Sequence, residues 1–281
     1  MAATMMTLAA CAQTQGPKVM ARYVPERAED FVFENNLICG RIYGKALEGN
    51  PTSPGIDVWV KLPGKLVANE WYSHIGEHGN EGYYHRDHGG KDCYKVSVSL
   101  GAGASAPIIN KKICYPATNY RSWEILEQTD DKVVFTLSYP EWEAAPGVMV
   151  SLDKTITVLA DTYFLKVEDR YSFTGESLCV AAGIFRHLKQ KTIEQELTLP
   201  DRYAIWEHAS DTGHEPEDGM IGVAVYMPGA DAVELSGHQS HGLVMRKIVP
   251  GETVTYYAGN CWSKGDIKSA EAWFKMVKGL Q

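Results

Sequence analysis

From Asp30 onward the chain is a succession of short runs in which apolar and polar residues alternate. Ile56–Leu62 reads IDVWVKL, Tyr94–Leu100 reads YKVSVSL and Lys132–Tyr139 reads KVVFTLSY. Similar runs occupy Tyr163–Phe173, Cys179–Leu188, Tyr203–Glu207, Ile221–Met227, Gly242–Val249 and Glu252–Ala258, and Val148–Leu159 supplies one long strand or two. A side-chain period of two carried by Val, Ile, Thr and Tyr belongs to half-buried antiparallel strands. Asn50-Pro51, Pro63-Gly64, Pro146-Gly147, Pro228-Gly229 and Pro250-Gly251 separate them as turns. Strands in this number, without helices between them, bury their apolar faces against one another. The expected fold is therefore all-β, a large antiparallel β-sandwich. One short helix is expected at the C-terminus, with Asp266 as cap, an apolar stripe of Ile267, Ala270, Trp273, Phe274 and Val277, and Gly279 as terminator.

The 281 residues are 44% hydrophobic, enough for one large core. Residues 1–28 read as leader and tether, and 29–281 as a single β-sandwich domain. Leu8-Ala9-Ala10-Cys11 is similar to the lipobox of bacterial lipoprotein signals, in which the cysteine carries the lipid. No Lys or Arg precedes it, and its apolar run is shorter than an ordinary signal core. The expected location is periplasmic or on the outer membrane, with membrane contact only through a lipid anchor at Cys11. A net charge of −8 disfavours nucleic acid and anionic lipid surfaces as partners. The six cysteines are scattered without a CxxC pair, so the last five read as small buried hydrophobes, with one disulfide as the alternative in an oxidising compartment.

Four of the nine histidines fall between residues 74 and 88, inside the glycine-rich stretch Trp71–Tyr94. Such a stretch reads as a long loop with aromatic edges, where functional residues tend to sit. Gly76, Gly79 and Gly82 argue against a helical histidine pair and HExxH is absent, so no metal and no cofactor are expected. Tyr84, His85, Arg86 and His88 suit acid–base chemistry instead. A neutral histidine accepts a proton near pH 7, and an arginine neutralises a carboxylate. Asp87 is placed to fix a histidine tautomer. Arg186 and His187 at a strand end form a second candidate pair. Trp71, Tyr72 and Trp206 are candidate sugar-stacking or substrate-binding residues, since a flat apolar face matches the C–H edges of a pyranose.

The chain resembles the bacterial DUF4861 family, which has no assigned function. The resemblance rests on Pro25-Glu26-Arg27 with Asp30-Phe31 and Glu34-Asn35, then Arg41-Ile42-Tyr43-Gly44, Gly55-Ile56-Asp57-Val58-Trp59 with Lys61, and Trp71-Tyr72. Tyr84-His85 follows with Asp87, Gly89, Asp92 and Tyr94, and then Leu100–Gly103. Gly90-Lys91 stands where the family pattern leads one to expect an acidic residue or glycine. The resemblance implies a fold similar to galactose-mutarotase-like and polysaccharide-lyase supersandwich domains. It also implies a place in carbohydrate degradation in Bacteroidota, and it transfers no catalytic residue.

Together these readings predict a carbohydrate-active protein, foremost a lyase acting on a uronic-acid-containing glycan. A Tyr/His/Arg set meets what β-elimination requires: a base for the C5 proton, an acid for the leaving oxygen and a cation for the carboxylate. Two alternatives stay open, a non-catalytic glycan-binding lipoprotein and a glycoside hydrolase, which needs two carboxylates facing one bond.

Overall fold

A computed structural model describes residues 16–48, 54–77, 82–209, 216–236 and 240–281. Cys11, His78 and Glu81 lie outside the described residues. The alternating runs form an antiparallel β-sandwich, and the helix-poor composition of the chain is expressed as three sheets.

The first layer is one eight-stranded sheet. It contains β8 (Ser122–Gln128), β9 (Lys132–Ala145), β10 (Val148–Leu159), β11 (Phe164–Phe173), β13 (Ile193–Leu199), β14 (Arg202–His208), β15 (Met220–Tyr226) and β18 (Thr253–Trp262). Its order is β13-β14-β15-β18-β11-β10-β9-β8. Residues 148–159 are thus one strand, paired on both sides.

Two five-stranded sheets make the second layer. One is β1 (Val19–Val24), β2 (Asp30–Asn35), β3 (Cys39–Ile42), β4 (Ile56–Lys61) and β5 (Gly90–Asp92), in chain order. The other contains β6 (Ala102–Ile109), β7 (Lys112–Ile113), β12 (Leu178–Phe185), β16 (Ala232–Ser236) and β17 (His241–Ile248), ordered β16-β17-β12-β6-β7. The two sheets meet at a seam, where Ile56 forms an isolated parallel bridge with Gly101. Gly101 has φ 59°, and a Cβ there would collide with the Ile56 carbonyl. Only glycine lets the strands approach so closely.

The main core fills the space between the layers. Phe31, Phe33, Ile42, Val58 and Val60 face Phe135, Leu137, Ile156 and Val167 across it. One charged cluster sits inside the sandwich. Lys154 donates to both oxygens of Asp169, at 2.8 and 2.6 Å, with Ser105, Tyr171 and Tyr256 around the pair. A buried carboxylate of this kind is tolerated because it is paired and hydrogen-bonded.

A short helix covers the outer face of each layer. α1 (Ala68–Ser73) lies over the β1–β5 sheet, packing Trp71 and Tyr72 on Trp59. α2 (Ala270–Lys278) lies over β14 and β15, packing Trp273 and Val277 on Ala204, Ala224 and Phe164. Gly222 leaves room for the Trp273 ring, which a Cβ would meet at 2.8 Å. Ser269, rather than Asp266, caps α2 by accepting the Ala272 N–H, and Ile267 precedes the helix. Gly279 is its C-cap as expected. Cys39, Cys93 and Cys261 are buried, Cys114 and Cys179 are half-buried, and all five are free thiols. Among the described residues no helix is long and apolar enough to cross a membrane.

Candidate functional site

Strand register fixes the site. Directly opposed residues on antiparallel strands share a face. Val32 pairs with Arg41, Arg41 with Asp57, and Trp59 with Asp92, so Arg41, Asp57, Trp59 and Asp92 all point to the outer face of the β1–β5 sheet. Asp30, two residues before Val32, and Tyr43, two after Arg41, join them by the period of the strand. The inner face of the same strands is apolar. The strands are buried on both sides, with hydrocarbon inward and paired charge outward.

Arg41 is the centre of this outer layer. Its Nε donates to Asp57 Oδ2 at 2.8 Å and its Nη2 to Asp92 Oδ2 at 2.6 Å. Its Nη1 stands 3.8 Å from Asp30 Oδ2, an ion pair beyond hydrogen-bond length. Asp30 is held in turn by Arg27 at 2.9 Å and by the Tyr72 hydroxyl at 3.3 Å. Tyr43 donates to Asp57 at 2.9 Å. Burial, then the neighbouring Asp92 charge, pushes the Asp57 carboxyl up from an ordinary 3.8 to about 7. Burial also raises the Asp30 carboxyl. Desolvation works against the Arg41 charge, but Asp92 and Asp57 more than restore it and hold its pKa above the usual guanidinium value. This guanidinium stays charged while its partners share the strain of burial.

The network opens to solvent in a cavity of about 390 Å³ lined by Arg27, Arg41, Tyr43, His85, Asp92, Tyr94, Lys95 and Val96. That is the size range of small-ligand sites. A tight turn at Tyr83–His85 brings His85 to its rim. The imidazole is about one-third exposed, with Nδ1 3.3 Å from the Asp92 carbonyl and 3.9 Å from its carboxylate. Tyr84 goes the other way. Its ring stacks on Trp59 at 5.2 Å and lies against the Arg41 guanidinium. The Tyr94 hydroxyl is committed to the Gly101 carbonyl at 3.1 Å.

A second cavity, of about 480 Å³, adjoins the first through Lys95 and is lined by Ser97, Tyr115, Phe185, Arg186, Lys189 and neighbouring residues. His187 sits behind the shared wall. Its Nδ1 faces both oxygens of Glu207 at 2.9 Å, and its Nε2 donates to the Lys95 carbonyl at 2.7 Å. Thr192 completes the pair by donating to Glu207 at 3.0 Å.

The structure therefore separates the residues singled out in the sequence. His85 lines the first cavity, Tyr84 packs directly beneath the arginines, and Arg186 lines the second. His187 is 3% exposed with both nitrogens engaged, a wall support rather than a group facing the cavity. Arg86 and His88 are exposed outside both linings, and the His88 ring stacks on Tyr83 at 3.7 Å. Asp87 accepts the Gly89 and Gly90 N–H groups and pairs with Lys264 at 3.1 Å, so it shapes its own turn. Trp71, Tyr72 and Trp206 are corrected from ligand platforms to core: they are 1%, 1% and 5% exposed. Trp71 and Tyr72 are spent on Trp59, and Trp206 lies in the α2 cluster, so none offers a free face to a sugar. The stretch 71–94 is not one loop. Among its described residues it begins in α1, turns at Tyr83–His85 and passes through β5. Among the described residues no cluster of three or more His, Cys, Asp or Glu side chains is arranged to hold a metal ion.

Residues 5–281 match the family described as domain of unknown function DUF4861. The chain belongs to this family. A relative, uncharacterized protein P7 of Formosa agariphila, is 28% identical over 273 residues, covering 92% of this DUF4861 chain and 66% of P7. This chain thus spans a little less than two thirds of that relative's length. Among solved structures, a GH36 alpha-galactosidase, AgaB, from Geobacillus stearothermophilus aligns with 87% of this chain and 41% of its own, at 11% identity and TM-score 0.41. A 4-alpha-glucanotransferase from Thermococcus litoralis aligns with 88% and 40%, at 9% identity and TM-score 0.36. A GalM/aldose epimerase homologue from C. elegans aligns with 87% and 99%, at 8% identity and TM-score 0.28. TM-scores this low assign the DUF4861 chain neither chemistry nor substrate.

Sequence reasoning missed Arg27, Arg41, Tyr43, Asp57 and Lys95 as site residues, and singled out Asp92 only as a possible cation ligand or hydrolase carboxylate. Their signal was present: Asp30, Glu34, Arg41, Asp57 and Lys61 are charged positions inside strands that are otherwise continuously apolar. Charge in a strand buried on both faces needs a partner, and the partners here are one another.

Proposed function

We propose that this protein acts on an acidic carbohydrate in the cavity beneath Arg27, Arg41 and His85, as a lyase that cleaves by β-elimination. The observation that carries the reading is the composition of that wall. Arg27, Arg41, Lys95 and His85 meet there, and Asp92 is the one carboxylate among its described lining residues. A hydrolase needs two carboxyl groups flanking one bond, roughly 5–9.5 Å apart. Asp30 and Asp57 do not supply the second, because both are fully buried behind Arg41.

In this reading Arg27 and Lys95, both partly open to solvent, neutralise the uronate carboxylate, which acidifies the C5 proton. His85 takes that proton. The electron pair forms the C4–C5 double bond and the C4–O bond breaks. The protonated His85 then returns its proton to the leaving oxygen. Tyr84 and Arg41 position the site through the Trp59 stack and the carboxylate network. The catalytic unit is carried on an exported lipoprotein anchored through Cys11, and Cys11→Ser should release it from membranes.

Incubation with uronic-acid oligosaccharides, read by the near-ultraviolet absorbance of the unsaturated product, tests the chemistry. His85→Ala should lower turnover by roughly 10²–10⁴, the usual worth of general acid–base catalysis, while substrate binding survives. Full activity in His85→Ala removes this residue from the mechanism. Binding without turnover across the panel leaves a glycan-binding protein.

A further inference from the structure

We infer that the second cavity is a subsite for a second negatively charged sugar residue, so that the ligand is an oligosaccharide carrying charge on neighbouring units. This inference rests on the reading of the first cavity as a saccharide site.

Three observations carry it. The first is continuity. Residues 93–101 run from β5 in one five-stranded sheet to β6 in the other, and Lys95 on this segment lines both cavities. The Lys95 backbone is pinned from behind by His187, itself paired with Glu207, so the shared wall is preorganised.

The second is charge. Lys95, Arg186 and Lys189 converge on the second cavity. Glu196 grips Arg186 through two hydrogen bonds, at 2.7 and 3.1 Å, which fixes the guanidinium and answers one of the three positive charges. Lys189 is left for the second anion, with Lys95 shared between the two cavities, and both lysines lie on exposed residues. A protein with a net charge of −8 has here a local cationic patch against its overall field, which concentrates anions at this spot.

The third is the apolar part of the lining. Phe185 and Tyr115 are half-buried, and Val98 and Leu188 expose 48% and 42% of their surface at the cavity. Aromatic faces beside cationic groups suit a charged pyranose, whose C–H edges stack while its anion is neutralised. Backbone strain falls in the same place. Ser97 in the lining has φ 52°, whereas Lys191, with φ 56°, closes the turn that follows His187. Non-glycine residues held in that region cluster at ligand sites.

The anion recognised is a carboxylate or a sulfate ester, and the test separates the two. Calorimetric titration of the full chain is made with tetrasaccharides of polyuronates, with their methyl esters, and with sulfated tetrasaccharides of neutral sugars. A charged tetrasaccharide should bind, esterification should weaken it, and Lys189→Gln should cost about tenfold in affinity, the worth of one charge-assisted hydrogen bond. Lys189→Glu should cost more. Both variants should leave the melting temperature unchanged and raise KM with little change in kcat. A uronate monosaccharide, too short to span both cavities, should be indifferent to Lys189. Preference for the polyuronate or for the sulfated series identifies the anion.

If no charged tetrasaccharide binds, or if Lys189→Glu leaves binding unchanged, the subsite does not exist. The two readings fail separately. Turnover lost in His85→Ala but untouched by Lys189→Glu refutes the subsite and keeps the elimination. Lys189-dependent binding without turnover refutes the elimination and keeps the subsite.

Discussion

The layers under α1 and under α2 solve the same packing problem with opposite materials. Under α2, Trp273, Phe164 and Trp206 pack with Ala204, Ala224 and Cys261, and the seal is almost wholly apolar. Under α1, the aromatic stack of Trp59, Trp71, Tyr72 and Tyr84 lies beside Arg41 and its three carboxylates. An apolar seal is worth roughly 25 cal/mol per Å² buried and demands no particular geometry. A buried ionic network gains little stability, because desolvation offsets most of the attraction. A fold retains such a network where fixed, oriented charge is useful, and the open edge of this one is the candidate site. The difference teaches that α2 completes a core, whereas α1 seals the back of the candidate site.

Arg41→Ala should have the largest effect. It leaves Asp57 and Asp92 buried without their cation, at a cost of about 3–5 kcal/mol in urea unfolding, and should also abolish turnover. A folded, active Arg41→Ala protein would break the contrast. Trp273→Ala should destabilise by about 3–4 kcal/mol through lost burial and a cavity, yet leave kcat/KM of the remaining folded protein unchanged. A selective loss of activity in that variant would give α2 a functional part that the comparison denies it.

A smaller effect separates the two layers by pH. The Asp57 carboxyl is raised from 3.8 to about 7, so the folded state holds a proton that the unfolded chain releases. Its contribution to stability is present in full below about pH 4 and is lost as pH rises through about 7. Asp57→Asn should flatten the pH dependence of the urea midpoint across that window, whereas no such change is expected from the α2 side. An unchanged slope in Asp57→Asn would remove Asp57 as its origin. The smallest effect is Ser269→Ala, expected to cost about 1 kcal/mol by removing the N-cap bond to Ala272.

Much of the architecture was legible because period-two alternation is a local signal. The paired strands at Lys132–Ala145 and Val148–Leu159 needed no information from elsewhere in the chain. The α2 stripe was similarly local, although the cap moved to Ser269, whose side chain stands one residue before the first turn. The site was only partly legible. His85 stood out by composition, but the company it keeps depends on register: Arg41 meets Asp57 across one strand pair, and Asp92 arrives by pairing with Trp59. Trp71 and Tyr72 looked like the rim of a loop because their partner, Trp59, lies in a strand that sequence spacing does not connect to them.

The meeting of Ile56 and Gly101 has a mechanical consequence. The β1–β5 and β16–β7 sheets are separate hydrogen-bonded arrays whose ladders meet at this one bridge, with the Phe185 N–H to Gly101 O contact of 2.8 Å at its flank. A seam with one bridge carries fewer hydrogen bonds than any ladder inside either plate, so relative motion of the two would concentrate there. An oligosaccharide laid along both cavities would cross the joint like a splint, resisting the motion from outside the fold. Ligand should then slow deuterium uptake at Gly101 and Phe185 more than at amides deep within either plate, and the stiffest state of the fold would be the one with both cavities filled.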